Sequence, residues 1–343
     1  MRILITIPAL VFFVSVRAQT LGGSAVYNFL NLPATPLLTA AGGVNVSYRA
    51  NEVGTIVGNP AFLGPDMHSQ MNASFNAMAG GINAYSLTGG YYKEKWQTSF
   101  GGNIYFVDYG SIPQTDAAGN VSGTFHPVDY VVQVSAARKY LERWTYGASL
   151  KFIHSSFPPY SSSALAMDLA VLYSDSAHLF SASFLFKNMG AQISTYAGTG
   201  EDLPFDFQLG ITKKLAQAPL GFSFTAHHLQ HFDIHYNDTV FNNENNLSSG
   251  AEFFHKLVNH FVVAAHVYLG NNLEATLGYN QLRREELSTG AEAPGLSGFS
   301  MGLRIKFSSL QVLYARSSYQ RNIAYNQLGV TLQFNRLFGT SNL

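Results

Sequence analysis

Four histidines stand close together at His227, His228, His231 and His235, with Asp233 and Asp238 beside them. Imidazoles and carboxylates ligate zinc and similar ions when they converge on one point. On a regular strand, however, His227 and His228 point to opposite faces and cannot serve together. His227 and His260 would instead sit at one rim, at the ends of neighbouring strands. The residues therefore read as polar side chains at the base of a loop, and no metal is assigned. No Gly-x-Ser-x-Gly nucleophile motif stands out, so no catalytic residue and no cofactor is assigned either. Two further charge patterns invite a role. Arg283-Arg284-Glu285-Glu286 could hold a lipid phosphate or a partner, or pair within itself. Seven isolated charges (Lys151, Asp168, Lys187, Asp206, Glu274, Arg304 and Lys306) recur within alternating, strand-like segments.

The elements that carry these groups read as strands. In Leu296–Phe307, residues Phe299, Met301, Leu303, Ile305 and Phe307 fall on one face, and Ser300, Gly302, Arg304 and Lys306 on the other. Such period-two alternation is a β-strand with one apolar and one polar face. Trp144 to Phe152, Leu165 to Tyr173 and Phe205 to Ile211 alternate in the same way. Strands are expected at 70–79, 84–93, 96–108, 127–139, 144–155, 164–174, 179–188, 205–214, 220–228, 260–269, 273–281, 298–307, 310–317 and 323–334. That is an even set of fourteen. Residues 248–254 read as a helix start, with Ser249 and Glu252 spaced as a capping box. The connections alternate between short turns and longer stretches, among them 109–126, 156–163 and 229–259.

Composition selects the surroundings. The chain is 14% aromatic and 12% charged, with 31 glycines and no cysteine. Soluble domains are about 25% charged. Arg2 and the apolar run Ile3–Val16, ending at Ala18, read as a secretory signal peptide over residues 1–18. No later run is long enough for a spanning helix of about 20 residues. Export, scarce charge and alternating strands together imply an all-β, fourteen-stranded antiparallel outer-membrane barrel over residues 70–338. Balanced charge argues against nucleic acid as a partner. Residues 19–69 lack strand pattern and end in turn chemistry around Asn59-Pro60-Ala61. Their apolar content (Val26, Phe29, Leu30, Leu37) favours packing in the lumen as a plug, or hatch.

A plug, an Asn59-Pro60-Ala61 turn and fourteen strands resemble the FadL-like outer-membrane barrels. Closer likenesses lie in local stretches: Gln19-Thr20-Leu21-Gly22-Gly23-Ser24-Ala25-Val26-Tyr27-Asn28-Phe29-Leu30-Asn31-Leu32-Pro33, Gly278-Tyr279-Asn280, Arg283-Arg284-Glu285-Glu286-Leu287 and Gly295-Leu296-Ser297-Gly298-Phe299-Ser300. These resemble the PorV/PorQ group of the type IX secretion system. That resemblance implies a non-enzymatic barrel anchoring a PorZ-like surface protein, alongside PorU/PorV-like components. The complex attaches secreted cargo to lipopolysaccharide. Phe241, Phe253, Phe254, Leu257, Arg283 and Arg284 are then the loop residues expected to meet a partner, lipopolysaccharide or phospholipid. The alternative is a FadL-like transporter of hydrophobic small molecules. The inward faces, rich in Ser, Thr, Gly, Gln and charge, favour the anchor.

The leader is open to direct measurement. The intact mass of protein taken from the cell envelope should correspond to a chain beginning at Gln19; a chain retaining residues 1–18 would contradict it.

Overall fold

The computed structural model describes residues 25–232, 234, 249–286, 295–320 and 323–337. The expected leader, Asp233, His235, Asp238 and Phe241 lie outside these residues, as do the side chains of Ser249 and Glu252.

The strands are β1 (Gln70–Ala77), β2 (Asn83–Lys93), β3 (Thr98–Asp108), β4 (Ile112–Thr115), β5 (Val121–Phe125), β6 (Val128–Tyr140), β7 (Trp144–Phe157) and β8 (Tyr160–Asp175). They continue with β9 (Phe180–Ser194), β10 (Asp206–Lys214), β11 (Leu220–Ala226), β12 (Phe261–Leu269), β13 (Leu273–Asn280), β14 (Phe299–Lys306), β15 (Leu310–Gln320) and β16 (Ile323–Gln333). All except β4 and β5 form one closed barrel, in which each strand pairs with its chain neighbour and β1 pairs with β16. The closing seam runs antiparallel from Gln70 opposite Gln333 to Ala77 opposite Asn326. The wall is therefore fourteen-stranded and has no free edge.

The faces are inverted relative to a soluble protein. On β14, Phe299 is 46% exposed and Met301 50%, while Ser300 and Arg304 on the opposite face are each 3% exposed. Only a bilayer accepts such an apolar outside, because the strands satisfy their backbone groups within the wall. Aromatic side chains gather at the short-turn end, where Trp96 packs on Phe100 and Trp144 on Tyr173. That is the interfacial position such rings prefer. None of the described helices is long and apolar enough to cross a membrane. Two features were not visible in the pattern. The stretch 156–163 is not a loop: β7 and β8 run on to Phe157 and Tyr160, leaving only Pro158 and Pro159 between them. At 16 residues β8 exceeds the roughly 9–11 needed to span, so this hairpin projects beyond the membrane. The connection 109–126 is itself a hairpin, β4–β5, apart from the barrel. The helix expected near 248–254 is α2 below, and extends to Val258.

Residues 25–69 lie against the inward faces of the wall. They contain a short helix, α1 (Pro36–Ala40), and several single turns. Beyond the strands, α2 (Ser249–Val258) and α3 (Gln281–Glu286) sit at the loop end, and α4 (Phe334–Leu337) follows β16.

Two inward charge pairs stand in the wall. The Lys151 Nζ lies 2.6 Å from Asp168 Oδ2 and 2.8 Å from Asn188 Oδ1, with both charged side chains under 5% exposed. Arg304 pairs with Glu274 from the adjacent strand and donates to the Ala50 carbonyl at 2.7 Å. Removing one member of such a buried pair strands the other and costs about 3–5 kcal/mol. Lys151→Met should therefore lower unfolding stability by roughly that much, while Lys151→Met/Asp168→Leu recovers most of it. Denaturant titration of the refolded barrel measures both. Equal losses in the single and double variants would contradict the pairing.

Candidate functional site

The inner segment is held by side chains that alternation alone would leave facing an empty lumen. Asn45 Nδ2 donates to Ser223 Oγ at 2.8 Å, and Ser47 Oγ meets Thr212 Oγ1 at 2.8 Å. Tyr48 donates to Glu274, and Thr39 to Gln327. Each is a plug-to-wall bond between buried partners, and such groups are costly to leave unpaired. In the Asn59-Pro60-Ala61 turn, Asn59 Oδ1 accepts from the Ala61 N–H at 2.9 Å, while Nδ2 donates to the Val46 carbonyl at 2.7 Å and to Ser183 Oγ at 2.8 Å. One buried amide thus shapes the turn and ties it to β9.

Inward glycines make room for this segment. A Cβ at Gly147 would lie 2.3 Å from the Ala61 nitrogen, and one at Gly278 would lie 2.3 Å from the Gly42 nitrogen. At these two positions any side chain would meet backbone, so the close approach requires glycine.

Above the seated turn, a cavity of about 300 Å³ opens towards the loops. Leu30, Leu32, Leu38 and Val57 of the inner segment form one wall, and Tyr105 and Val131 of the barrel face them. Lys187, Asp206, His227 and Arg283 bring polar groups to its rim. Beside it, Tyr27, Phe29, Leu30 and Ala34 pack into an apolar cluster with Tyr105, Val107, Val131 and Ile153. The rest of the lining is mixed, with Asn45, Gln133, Lys151, Gln208 and Asn280 among its polar groups, so the space suits a molecule with both apolar and polar parts. A second cavity of about 840 Å³ lies at the short-turn end, bordered by polar groups such as Asp66, His68, Lys306 and Arg336. The two share no lining residue.

The residues singled out from sequence fall in three places. Asn59, Pro60 and Ala61 are buried in the lumen. Phe253, Phe254 and Leu257 are exposed on α2, and Phe232 packs against Phe253 with ring centroids 5.5 Å apart. Arg283 instead turns inward: it donates to the Gly42 carbonyl at 3.0 Å and to Ser317 Oγ at 2.7 Å, and its guanidinium lies over the Tyr319 ring. Arg284 is half-buried on α3. His231 hydrogen-bonds through its backbone N–H to His228. His227 and His228 do not face apart as a regular strand would have them. Strand β11 stops at Ala226, and His228 adopts a left-handed backbone with φ +54. Their ring centroids lie 4.7 Å apart, and both border the cavity with Asp206. Burial pushes the His227 imidazole down to about 3 and lowers His228 as well.

No protein-family model matches the chain, and no curated protein matches it. Solved structures do. The toluene transporter TodX of Pseudomonas putida matches with a TM-score of 0.54 at 11% identity, over 88% of this chain and 97% of that one. The CymD monoaromatic hydrocarbon channel matches with a TM-score of 0.52 at 12% identity, over 89% and 98%. At this identity the likeness concerns the fold. The chain shares the barrel fold of these two structures, and its inverted faces and closed wall make it an outer-membrane protein.

The seating of the turn makes a conductance prediction. Gly147→Leu should displace Pro60 and Ala61 and raise single-channel conductance in planar bilayers well above that of the wild-type barrel. Identical traces would show that the turn does not depend on this contact.

Proposed function

We propose that the protein captures a hydrophobic or amphipathic small molecule from the outer face of the outer membrane and passes it inward. The observation that carries this is the cavity of about 300 Å³ between the inner segment and the wall. Sequence favoured the anchor because the wall faces inward with polar groups. The apolar lining comes instead from the inner segment, through Leu30, Leu32, Leu38 and Val57. Part of that polar face bonds to the plug, as at Ser223, Thr212 and Glu274, and part bonds within the wall, as at Lys151 with Asp168. The fold shared with a toluene transporter and a monoaromatic hydrocarbon channel supports the same reading. Passage requires the inner segment to shift, because its contacts with the wall separate the two cavities.

The anchoring reading keeps one specific support. Phe253 and Phe254 are 57% and 64% exposed on α2, with Phe232 beside them. Exposed aromatic groups of this kind suit a protein interface. A PorZ-like surface protein, with PorU/PorV-like components and lipopolysaccharide, would be the assembly on that reading.

Gentle solubilisation followed by native mass spectrometry separates the two. Transport predicts a barrel that retains a small apolar molecule. Val131→Trp, which fills the cavity, should lower that retention at least tenfold without changing the heat-modifiable mobility of the folded barrel. An empty barrel that comes down with a large surface protein and a protease would replace transport with anchoring.

A further inference from the structure

We propose that Asp206, His227 and His228 form a divalent-metal site on the rim of the cavity, suited to zinc or a similar borderline ion. The site does not depend on what the barrel transports, because its ligands come from the wall and the first residues after β11.

Convergence is the first argument. One ligand atom from each of the three residues lies within 4.8 Å of the others. His228 Nδ1 is 3.7 Å from Asp206 Oδ1. Tetrahedral zinc with bonds of about 2.1 Å sets its ligands about 3.4 Å apart, so small side-chain rotations close the site. The left-handed backbone at His228 creates the convergence. Non-glycine residues rarely adopt that conformation, and here it turns two consecutive imidazoles to the same side.

The second argument is an orphan. His227 is 2% exposed, lines the cavity, and neither its Nδ1 nor its Nε2 has a hydrogen-bond partner. Buried polar atoms are nearly always paired, and an unpaired one needs an explanation such as an ion. A metal ion would use one of these nitrogens directly.

The third is support around the ligands, which metal sites commonly show. Gln208 Nε2 donates to Asp206 Oδ2 at 2.5 Å, and the His228 N–H donates to Asp206 Oδ1 at 2.6 Å. The His227 N–H donates to the His260 carbonyl at 2.9 Å, and His260 Nδ1 lies 2.8 Å from the His227 carbonyl. Two nitrogens and one carboxylate favour zinc, copper or nickel over magnesium or calcium. Three protein ligands leave a fourth position facing the cavity, where Lys187 and Arg283 also lie. Water or an anionic group of a bound molecule would complete the shell there.

The test uses full-length, tag-free protein, stripped with chelator and titrated in detergent with zinc by calorimetry and with cobalt by visible absorption. One ion per barrel is expected, with the intense absorption of a four-coordinate cobalt site. His227→Ala and Asp206→Asn should each weaken zinc binding at least tenfold, whereas His178→Ala, at an exposed histidine paired with Asp175, should leave it unchanged. Heat-modifiable mobility confirms that each variant is folded; if His227→Ala does not fold, His228→Gln provides the same measurement. Absence of binding to the wild-type barrel would overturn the site. So would binding that survives in the His227 and His228 variants, or that is lost in His178→Ala.

Discussion

Arg304 and Glu274 face the lumen from directly opposed positions on neighbouring strands, while Leu303 and Ile305 on either side of Arg304 face lipid. A bilayer forces this arrangement. On the outer face a mid-membrane arginine or lysine costs about 2–4 kcal/mol, so Lys151, Asp168, Glu274 and Arg304 are all directed inward. Inside, a charge left without a partner costs at least as much. The inner segment supplies part of the answer, through the Tyr48 hydroxyl and the Ala50 carbonyl at the Arg304–Glu274 pair. Wall polarity and plug are thus two halves of one hydrogen-bonding requirement.

The same requirement shapes the cavity. Where plug and wall match, as at Asn59 with Ser183 or Ser47 with Thr212, the polar groups are consumed and the two surfaces meet closely over glycines such as Gly147 and Gly278. Where the inner segment turns its leucines towards Tyr105 and Val131, the two surfaces part and a space remains. Plug and wall both line it, so a function for this barrel rests on residues 25–69 as well as on the wall. Lys187, Asp206, His227 and Arg283 at the rim give the space a polar mouth.

Much of the barrel was legible because a strand has period two and a bilayer leaves no ambiguity about which face is apolar. Phe299, Met301, Leu303 and Ile305 declare the outside at once, and fourteen such segments give the count. What escaped was set by local backbone or tertiary contact. Ser161, Ser162 and Ser163 looked like a loop beside Pro158-Pro159, yet Ser162 is a strand residue bonded to Tyr27 and to the Ser194 carbonyl. Arg283 looked like a rim cation, but the Gly42 carbonyl and the Tyr319 ring that draw it inward are distant in sequence. His227 and His228 looked divergent because alternation was carried past Ala226, where the strand stops. No local signal marks a left-handed histidine. The lining of the cavity could not be read from strand faces, since its apolar side belongs to a segment without periodicity.

The most direct test of the account is diffraction from the barrel crystallised with a bromine-labelled hydrocarbon. The account predicts an anomalous peak between Leu30, Leu32, Tyr105 and Val131, with the Asn59-Pro60-Ala61 turn seated against β7. A peak confined to the lipid-facing surface, or none at all, would contradict it.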